Sequence, residues 1–229
     1  MVDDDGDPGE DGAAESETLR DPTDIEVALR AGAALFNEGF VLAAHDPWEA
    51  AWLPRNANDD DDERLLHGLI ATAAATHHAS NRNWAGAVGC AENADEYLTP
   101  LEATCRGLAL NPVREWCRRL ASDPETIERR SPPLIQFEGT AIGFADLDLA
   151  ATAVAAPVVA EAVPAADEAV VSAAADLARE EYGTGRSAVA ELLFAFLGQP
   201  DARPQIVARL ADHVDRAERK RRDVDGLFE

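Results

Sequence analysis

The sequence predicts an all-α fold, a compact helical bundle with a C-terminal helical extension. Apolar residues recur at helical spacing through most of the chain, and residue types that cap or break helices stand between these segments. A small β-hairpin near 134–144 is the exception that the pattern predicts. With 229 residues, of which 46% are hydrophobic, the chain is long enough to bury a core in one or two domains.

The N-terminal segment 1–22 is predicted to be a disordered acidic tail. It is rich in aspartate and glutamate, contains several glycines, and cannot bury enough apolar surface to become ordered. The folded part of the chain is therefore expected to begin at residue 23.

Residues 23–130 are predicted to form the bundle. Asp24 can cap the first helix, which ends at 37, and Gly39 suits the left-handed position beyond that end. Further helices are predicted at 40–52, 64–80, 84–98, 101–110, 111–120 and 123–130. The acidic run at 59–63 is predicted to be a solvated helix start, because it lacks the alternating spacing and central glycine of a calcium loop.

Residues 131–165 are predicted to form a hairpin and linker segment. Two short apolar runs within 134–144 flank Glu138-Gly139, a pair that suits a hairpin turn. Pro157 and Pro164 are expected to limit any helix in the alanine-rich stretch that follows.

The C-terminal extension, residues 166–229, contains three stretches with apolar residues at helical spacing. These helices are predicted either to pack on the bundle or to associate with a second copy of the chain, which would make a homo-oligomer. The apolar segment 226–228 is predicted to dock as a tail.

The charge of the chain argues against two classes of partner. A net charge of -24 repels nucleic acid and anionic membranes at ordinary salt, so neither is expected to bind. Lys220 is the single lysine among many carboxylates. This composition resembles that of halophilic archaeal proteins, because molar salt screens the repulsion between acidic groups.

The sequence predicts a cytoplasmic protein. It has no apolar run long enough for a transmembrane helix and no basic start followed by an apolar stretch. Its three cysteines, Cys90, Cys105 and Cys117, are odd in number and lack the C-x-x-C spacing, which fits reduced thiols.

Four of the five histidines lie between residues 45 and 78, in the predicted second and third helices. His45, Glu49 and Trp52 are spaced to share one stripe of a helix. His67 and His78 share a face of the next helix but are separated by ~16 Å along its axis, since a helix rises ~1.5 Å per residue. One metal ion therefore cannot bind both.

Three interpretations of this histidine-rich region remain open, and one of them is a binding pocket without chemistry. In the first, a polar cluster inside the bundle holds the second and third helices together, and His45→Ala mainly lowers the melting temperature. The members of that cluster are His45, Glu49, Trp52, His67, His77 and His78. The start of the second helix also has two alternatives. Asp46 could cap it with Pro47 in its first turn, or Pro47 could kink a helix that is continuous from residue 40.

The alternative interpretation is a metal-dependent hydrolase or a related acid–base enzyme. His45 and Glu49 would bind a divalent metal, zinc or iron, with His78 or His77 as the third ligand. Asp46 would be the catalytic base next to the metal-bound water.

Several short blocks in this region resemble a known family. The blocks are Leu35-Phe36-Asn37-Glu38-Gly39-Phe40, Ala44-His45-Asp46 with Glu49 and Trp52, His67-Gly68-Leu69-Ile70, His77-His78 and Gly86-Ala87. In this order they resemble domain-of-unknown-function family 309, a small all-helical family of bacteria and archaea, over roughly residues 25–100. The resemblance implies a compact bundle with the His-Asp and Glu-x-x-Trp positions pointing inward, and it implies no activity. Pro47 and Ala71 depart from the family pattern, which commonly has a helix former and a glutamine there.

Overall fold

The computed structural model describes residues 19–164, 166–183 and 185–225. Within these residues the chain is mostly helical with one small sheet, which confirms the predicted fold class. The helices are α1 (Ile25–Asn37), α2 (His45–Trp52), α3 (Asp61–Ser80), α4 (Trp84–Leu98), α5 (Leu110–Ser122), α6 (Leu149–Ala162), α7 (Glu168–Glu180), α8 (Ala188–Gly198) and α9 (Arg203–Asp225). The strands are β1 (Thr104–Cys105), β2 (Leu108–Ala109), β3 (Gln136–Phe137) and β4 (Thr140–Ala141).

Two sequence predictions concern residues outside this description. Most of the predicted acidic tail, residues 1–18, and the predicted docking tail at 226–228 lie beyond the described residues. Among the residues that are described, we find no helix with both the length and the apolar character needed to cross a membrane.

Side-chain caps set the start of the helices in the bundle. The Asp24 carboxylate accepts hydrogen bonds from the first backbone amides of α1, at 2.9 and 3.3 Å, as predicted. Asn83 caps α4 by accepting from the Gly86 amide at 3.1 Å, also as predicted. Helix α3 begins at residue 61 rather than 64, because Asp60 caps it by accepting from the Glu63 amide at 2.9 Å.

Helix α2 begins at His45 and not at residue 40. Residues 41–44 form a turn, and Ala44 occupies the cap position without a side-chain hydrogen bond. Pro47 therefore lies in the first helical turn, where backbone amides have no partner within the helix. Neither a cap at Asp46 nor a continuous kinked helix is formed.

The predicted helix at 101–110 is wrong, because strands β1 and β2 form a hairpin there. Arg106 and Gly107 make its two-residue turn with φ values of 49° and 80°, which a helix excludes. The predicted helix at 123–130 is instead a short 3₁₀ helix at Pro124–Glu128.

The β3–β4 hairpin confirms the turn predicted at Glu138-Gly139, whose φ values are 50° and 82°. Strand β2 pairs with β3, so the two hairpins form one antiparallel sheet in the order β1-β2-β3-β4. The sheet therefore joins residues on either side of position 131.

Helix α6 contradicts the expectation that Pro157 limits helix formation, since 14 residues are helical around it. Proline has no N–H, so the Ala153 carbonyl one turn earlier loses its intrahelical partner. Arg179 of α7 donates a hydrogen bond to that carbonyl at 2.9 Å. A side chain from the neighbouring helix thus replaces the missing bond.

One main hydrophobic core extends from α1–α3 through α6 to α9. Helix α1 packs on α2 and α6, and α3 packs along α4. The contact between α1 and α2 is very close at Gly32, where a Cβ atom would lie only 2.3 Å from Nε1 of the buried Trp48. This packing fixes the start of α2 next to the end of α6.

Candidate functional site

The residues predicted to form one polar cluster are divided between two places. Trp52 and His67 join Glu63 and Tyr97 in what we call the buried cluster. His45, Asp46 and His77 line an open cavity that we call the groove. Glu49 lies beside His45 on α2, whereas His78 has its own contacts at the end of α3.

Glu63 is the centre of the buried cluster. It is 7% exposed, and its Oε1 accepts a hydrogen bond from Trp52 Nε1 at 2.9 Å and lies 3.4 Å from His67 Nδ1. The His67 ring stacks on Tyr97 with 3.9 Å between centroids and lies 5.0 Å from the Trp52 ring. These contacts connect α2, α3 and α4.

The position of Glu63 follows from local helix physics. It lies in the first turn of α3, where the helix dipole favours a carboxylate, and it precedes His67 by four residues on the same face. The prediction that the whole acidic run at 59–63 is solvated is therefore wrong at its last residue. The spacing to His67 was the signal in the sequence that could have identified it.

The groove lies where the turn before α2, the end of α3 and the end of α6 meet. It has a volume of about 550 Å³. Its apolar walls include Phe40, Val41, Leu42 and Val158, and its polar lining consists of His45, Asp46, His77, Ser80 and Glu161. Leu42 is 45% exposed, so part of the apolar wall faces solvent.

His45 is held between two carboxylates. Its Nδ1 lies 2.7 Å from Asp46 Oδ1 and 3.1 Å from the Leu42 carbonyl oxygen, and its Nε2 lies 3.5 Å from Glu49 Oε2. The side chains of His45 and Asp46 are 32% and 40% exposed. The imidazole is therefore oriented by its neighbours and reachable from the groove.

Burial raises the pKa of Asp46 above its ordinary value. The charge of His45 acts in the opposite direction, and the nearby carboxylates of Glu161 and Glu49 raise the pKa further. The electrostatic environment at this end of the groove is thus unfavourable for an additional negative charge.

The proposed metal ligands do not come together. His78 Nδ1 lies 3.1 Å from the Asn83 amide nitrogen, and the ring packs against Gly86, where a Cβ atom would lie 3.0 Å from it. In the ranges 19–164, 166–183 and 185–225, no three His, Cys, Asp or Glu side chains converge as a zinc or iron site requires. His45 and Glu49 are therefore a contact between two side chains, 3.5 Å apart, without a third ligand.

Tyr97 and Glu161 are two further residues of these places that the sequence did not single out. Glu161 comes from α6, far along the chain from the groove residues of the turn before α2 and of α3, and its position depends on long-range packing. Tyr97 is on α4, where no local pattern links it to His67.

No curated protein matches the chain. A known family model covers the turn before α2 and all of α2 and α3. It therefore covers most of the groove and of the buried cluster. Residues 29–90 match the model of the family described as Domain of unknown function (DUF309), an uncharacterised family, which confirms the resemblance seen in the sequence.

Proposed function

We propose that this protein is a non-catalytic binding protein, a helical bundle in which the buried cluster holds α2 in place and the groove receives the partner. The observation that carries this proposal is the division of the polar residues. One set makes its contacts around the buried carboxylate of Glu63, and the other faces an open cavity with apolar walls.

The contacts of the buried cluster support a structural role for it. The Glu63 carboxylate is shared between the Trp52 indole and the His67 imidazole, and the His67 ring is stacked on Tyr97. Buried polar groups whose hydrogen bonds are made inside the protein contribute to a specific packing arrangement. The cluster therefore positions α2, whose first turn forms a wall of the groove.

The shape and lining of the groove support a binding role. Its volume lies in the range of small-molecule sites, which are mostly apolar with a few placed polar groups. The exposed Leu42 and the half-buried Phe40 give the partner an apolar surface to cover.

A second candidate function is acid–base catalysis without a metal. The observation that favours it is the proximity of an imidazole and a carboxylate at an open cavity, with 2.7 Å between His45 Nδ1 and Asp46 Oδ1. In this alternative His45 and Asp46 would exchange protons with a substrate in the groove.

One experiment distinguishes these functions. The full chain is screened by thermal shift against a library of small molecules, and every stabilising compound is recovered after incubation and identified by mass spectrometry. Ala162→Trp covers the groove from an exposed position on its wall, at the end of α6, and Ala85→Trp, on the exposed side of α4, is the matched control.

We expect stabilising compounds that are recovered unchanged, with the stabilisation lost in Ala162→Trp and kept in Ala85→Trp. Conversion of a compound that is abolished by His45→Ala would establish the acid–base enzyme instead. Binding that Ala162→Trp leaves intact, or no stabilising compound at all, would overturn the binding function.

We also propose a cytoplasmic, high-salt setting and self-association through the C-terminal helices. The three free cysteines and the net charge of -24 support the first part. The second is supported by Phe194 of α8, which is 40% exposed. Sedimentation velocity of the wild type and of Phe194→Ser tests it, since only the wild type is expected to sediment as an oligomer.

A further inference from the structure

We propose that the groove binds a small organic cation, an ammonium group attached to an apolar body. This inference rests on the proposed function, in which the groove is the binding site, and adds the chemical class of the ligand. It follows from the charges and the apolar surface that line the cavity.

The first step concerns the charges. Asp46 on α2 and Glu161 on α6 contribute carboxylates from two walls of the groove. Neither an arginine nor a lysine is among the lining residues, and within the described chain neither carboxylate forms an ion pair with one. By contrast, Asp62 is paired with Arg106, and Asp95 is paired with Arg118 at 2.9 Å.

The second step concerns the apolar walls. Phe40, Leu42 and Val158 lie on the same cavity as the two carboxylates. A hydrated metal ion or ammonium itself would leave this surface exposed to water, whereas an alkyl chain would cover it. The combination of separate carboxylates and apolar walls therefore fits an amphiphilic cation better than an inorganic one.

The third step concerns the electrostatic environment of Asp46 in the groove. Burial and the neighbouring Glu161 and Glu49 raise the pKa of Asp46, while His45 lowers it. A bound ammonium group would favour the ionised carboxylate.

The test uses three probes of equal chain length with the full protein: hexylammonium, hexanol and hexanoate. Binding is measured by isothermal titration at pH 8, with groove contacts followed by amide NMR shifts. The variants are Asp46→Asn and Glu161→Gln. Glu102→Gln, at an exposed site away from the groove, changes the net charge by the same amount and is the control.

We expect hexylammonium to bind and to shift the amides of residues 40–46. Each groove variant should weaken this binding about tenfold, the effect of losing one charge-assisted contact, and Glu102→Gln should leave it unchanged.

Hexanol binding in the groove as tightly as hexylammonium, or a preference for hexanoate, would overturn the cation inference and leave the binding function intact. Hexylammonium binding that persists in both groove variants would place the cation elsewhere on the acidic surface and would also overturn it. Failure of the binding function itself is detected separately. It would show as library compounds that stabilise Ala162→Trp and Ala85→Trp equally in the thermal-shift screen.

Discussion

Glu63 and Cys117 are single residues whose burial gives them properties that the same residue types lack at the surface. Glu63 is an acidic side chain inside the bundle, and Cys117 is a fully buried thiol. Each leads to a prediction that can be checked at that one position.

For Glu63 we predict a large cost of truncation. Glu63→Ala removes the acceptor of the Trp52 indole hydrogen bond, and a hydrogen bond to a charged group contributes about 1.5–3 kcal/mol. The free energy of unfolding, measured by urea denaturation, should fall by that amount. In a double-mutant cycle with Trp52→Phe, the two losses should be less than additive.

The control is Glu92→Ala on α4, which is exposed and should change stability by less than about 0.5 kcal/mol. Equal effects of Glu63→Ala and Glu92→Ala, or strictly additive losses in the cycle, would contradict the structural role of the buried cluster.

For Cys117 we predict a thiol that does not react in the native protein. Burial raises its pKa to about 11, and its Sγ lies 3.3 Å from Thr72 Oγ1. Relative to a thiol with an ordinary pKa of 9.0, the thiolate fraction at pH 8 is about 100-fold lower. Labelling with a disulfide reagent, followed by peptide mass spectrometry, should modify Cys117 only after unfolding. Native-state labelling at a rate similar to that of Cys90 would refute this.

The sequence could predict part of the buried cluster at this scale. Trp52 and His67 were both predicted as members of a polar cluster, and in the structure both are half-buried with their rings 5.0 Å apart. The burial of Glu63 could not be predicted from the sequence. A run of acidic residues indicates an exposed segment on average, but it does not show which single residue of the run is buried.

Among the helices, α6 provides the sharpest prediction. Arg179→Ala removes the donor to the Ala153 carbonyl that Pro157 leaves without a partner, so stability should fall by about 1 kcal/mol. In a Pro157→Ala background, residue 157 regains its N–H and can satisfy that carbonyl within the helix. The cost of Arg179→Ala should therefore be smaller there.

The measurement is thermal and urea unfolding of the two single variants and the double variant. Asp176→Ala serves as the control, since it removes the other partner of Arg179 without touching Ala153. A cost of Arg179→Ala that is the same with proline or alanine at 157 would show that the hydrogen bond is unimportant.

How well each element could be predicted depended on whether its signal was local. The caps at Asp24 and Asn83 and the turn at Glu138-Gly139 are local and were predicted correctly. The hairpin turn at Arg106-Gly107 has the same kind of glycine signal, but the segment 101–110 was predicted as a helix. The helix around Pro157 could not be foreseen, because its support comes from Arg179 on another helix.

For the whole molecule we predict that salt stabilises the fold. With 44 acidic and 20 basic residues, repulsion between carboxylates outweighs the surface ion pairs. The Debye length falls from ~10 Å at 0.1 M salt to ~3 Å at 1 M, which screens this repulsion. We expect the melting temperature to rise by about 4 °C or more in KCl, equivalent to roughly 1–2 kcal/mol.

Differential scanning calorimetry from 0.1 to 2 M KCl measures this effect, with sucrose at matched water activity as the control for general exclusion from the surface. A melting temperature that falls with KCl would mean that ion pairs such as Asp62–Arg106 dominate over repulsion.

The groove combines a segment that matches a family with a helix that lies outside the match. Residues 29–90 supply two of its sides, whereas α6 supplies Val158 and Glu161. A chain that kept every residue of 29–90 and carried a different helix in this position would offer its ligand a different third side. The ligand that is selected would then depend in part on residues outside the match. A ligand found for one protein that matches the family could not be assigned to another from the matched residues alone.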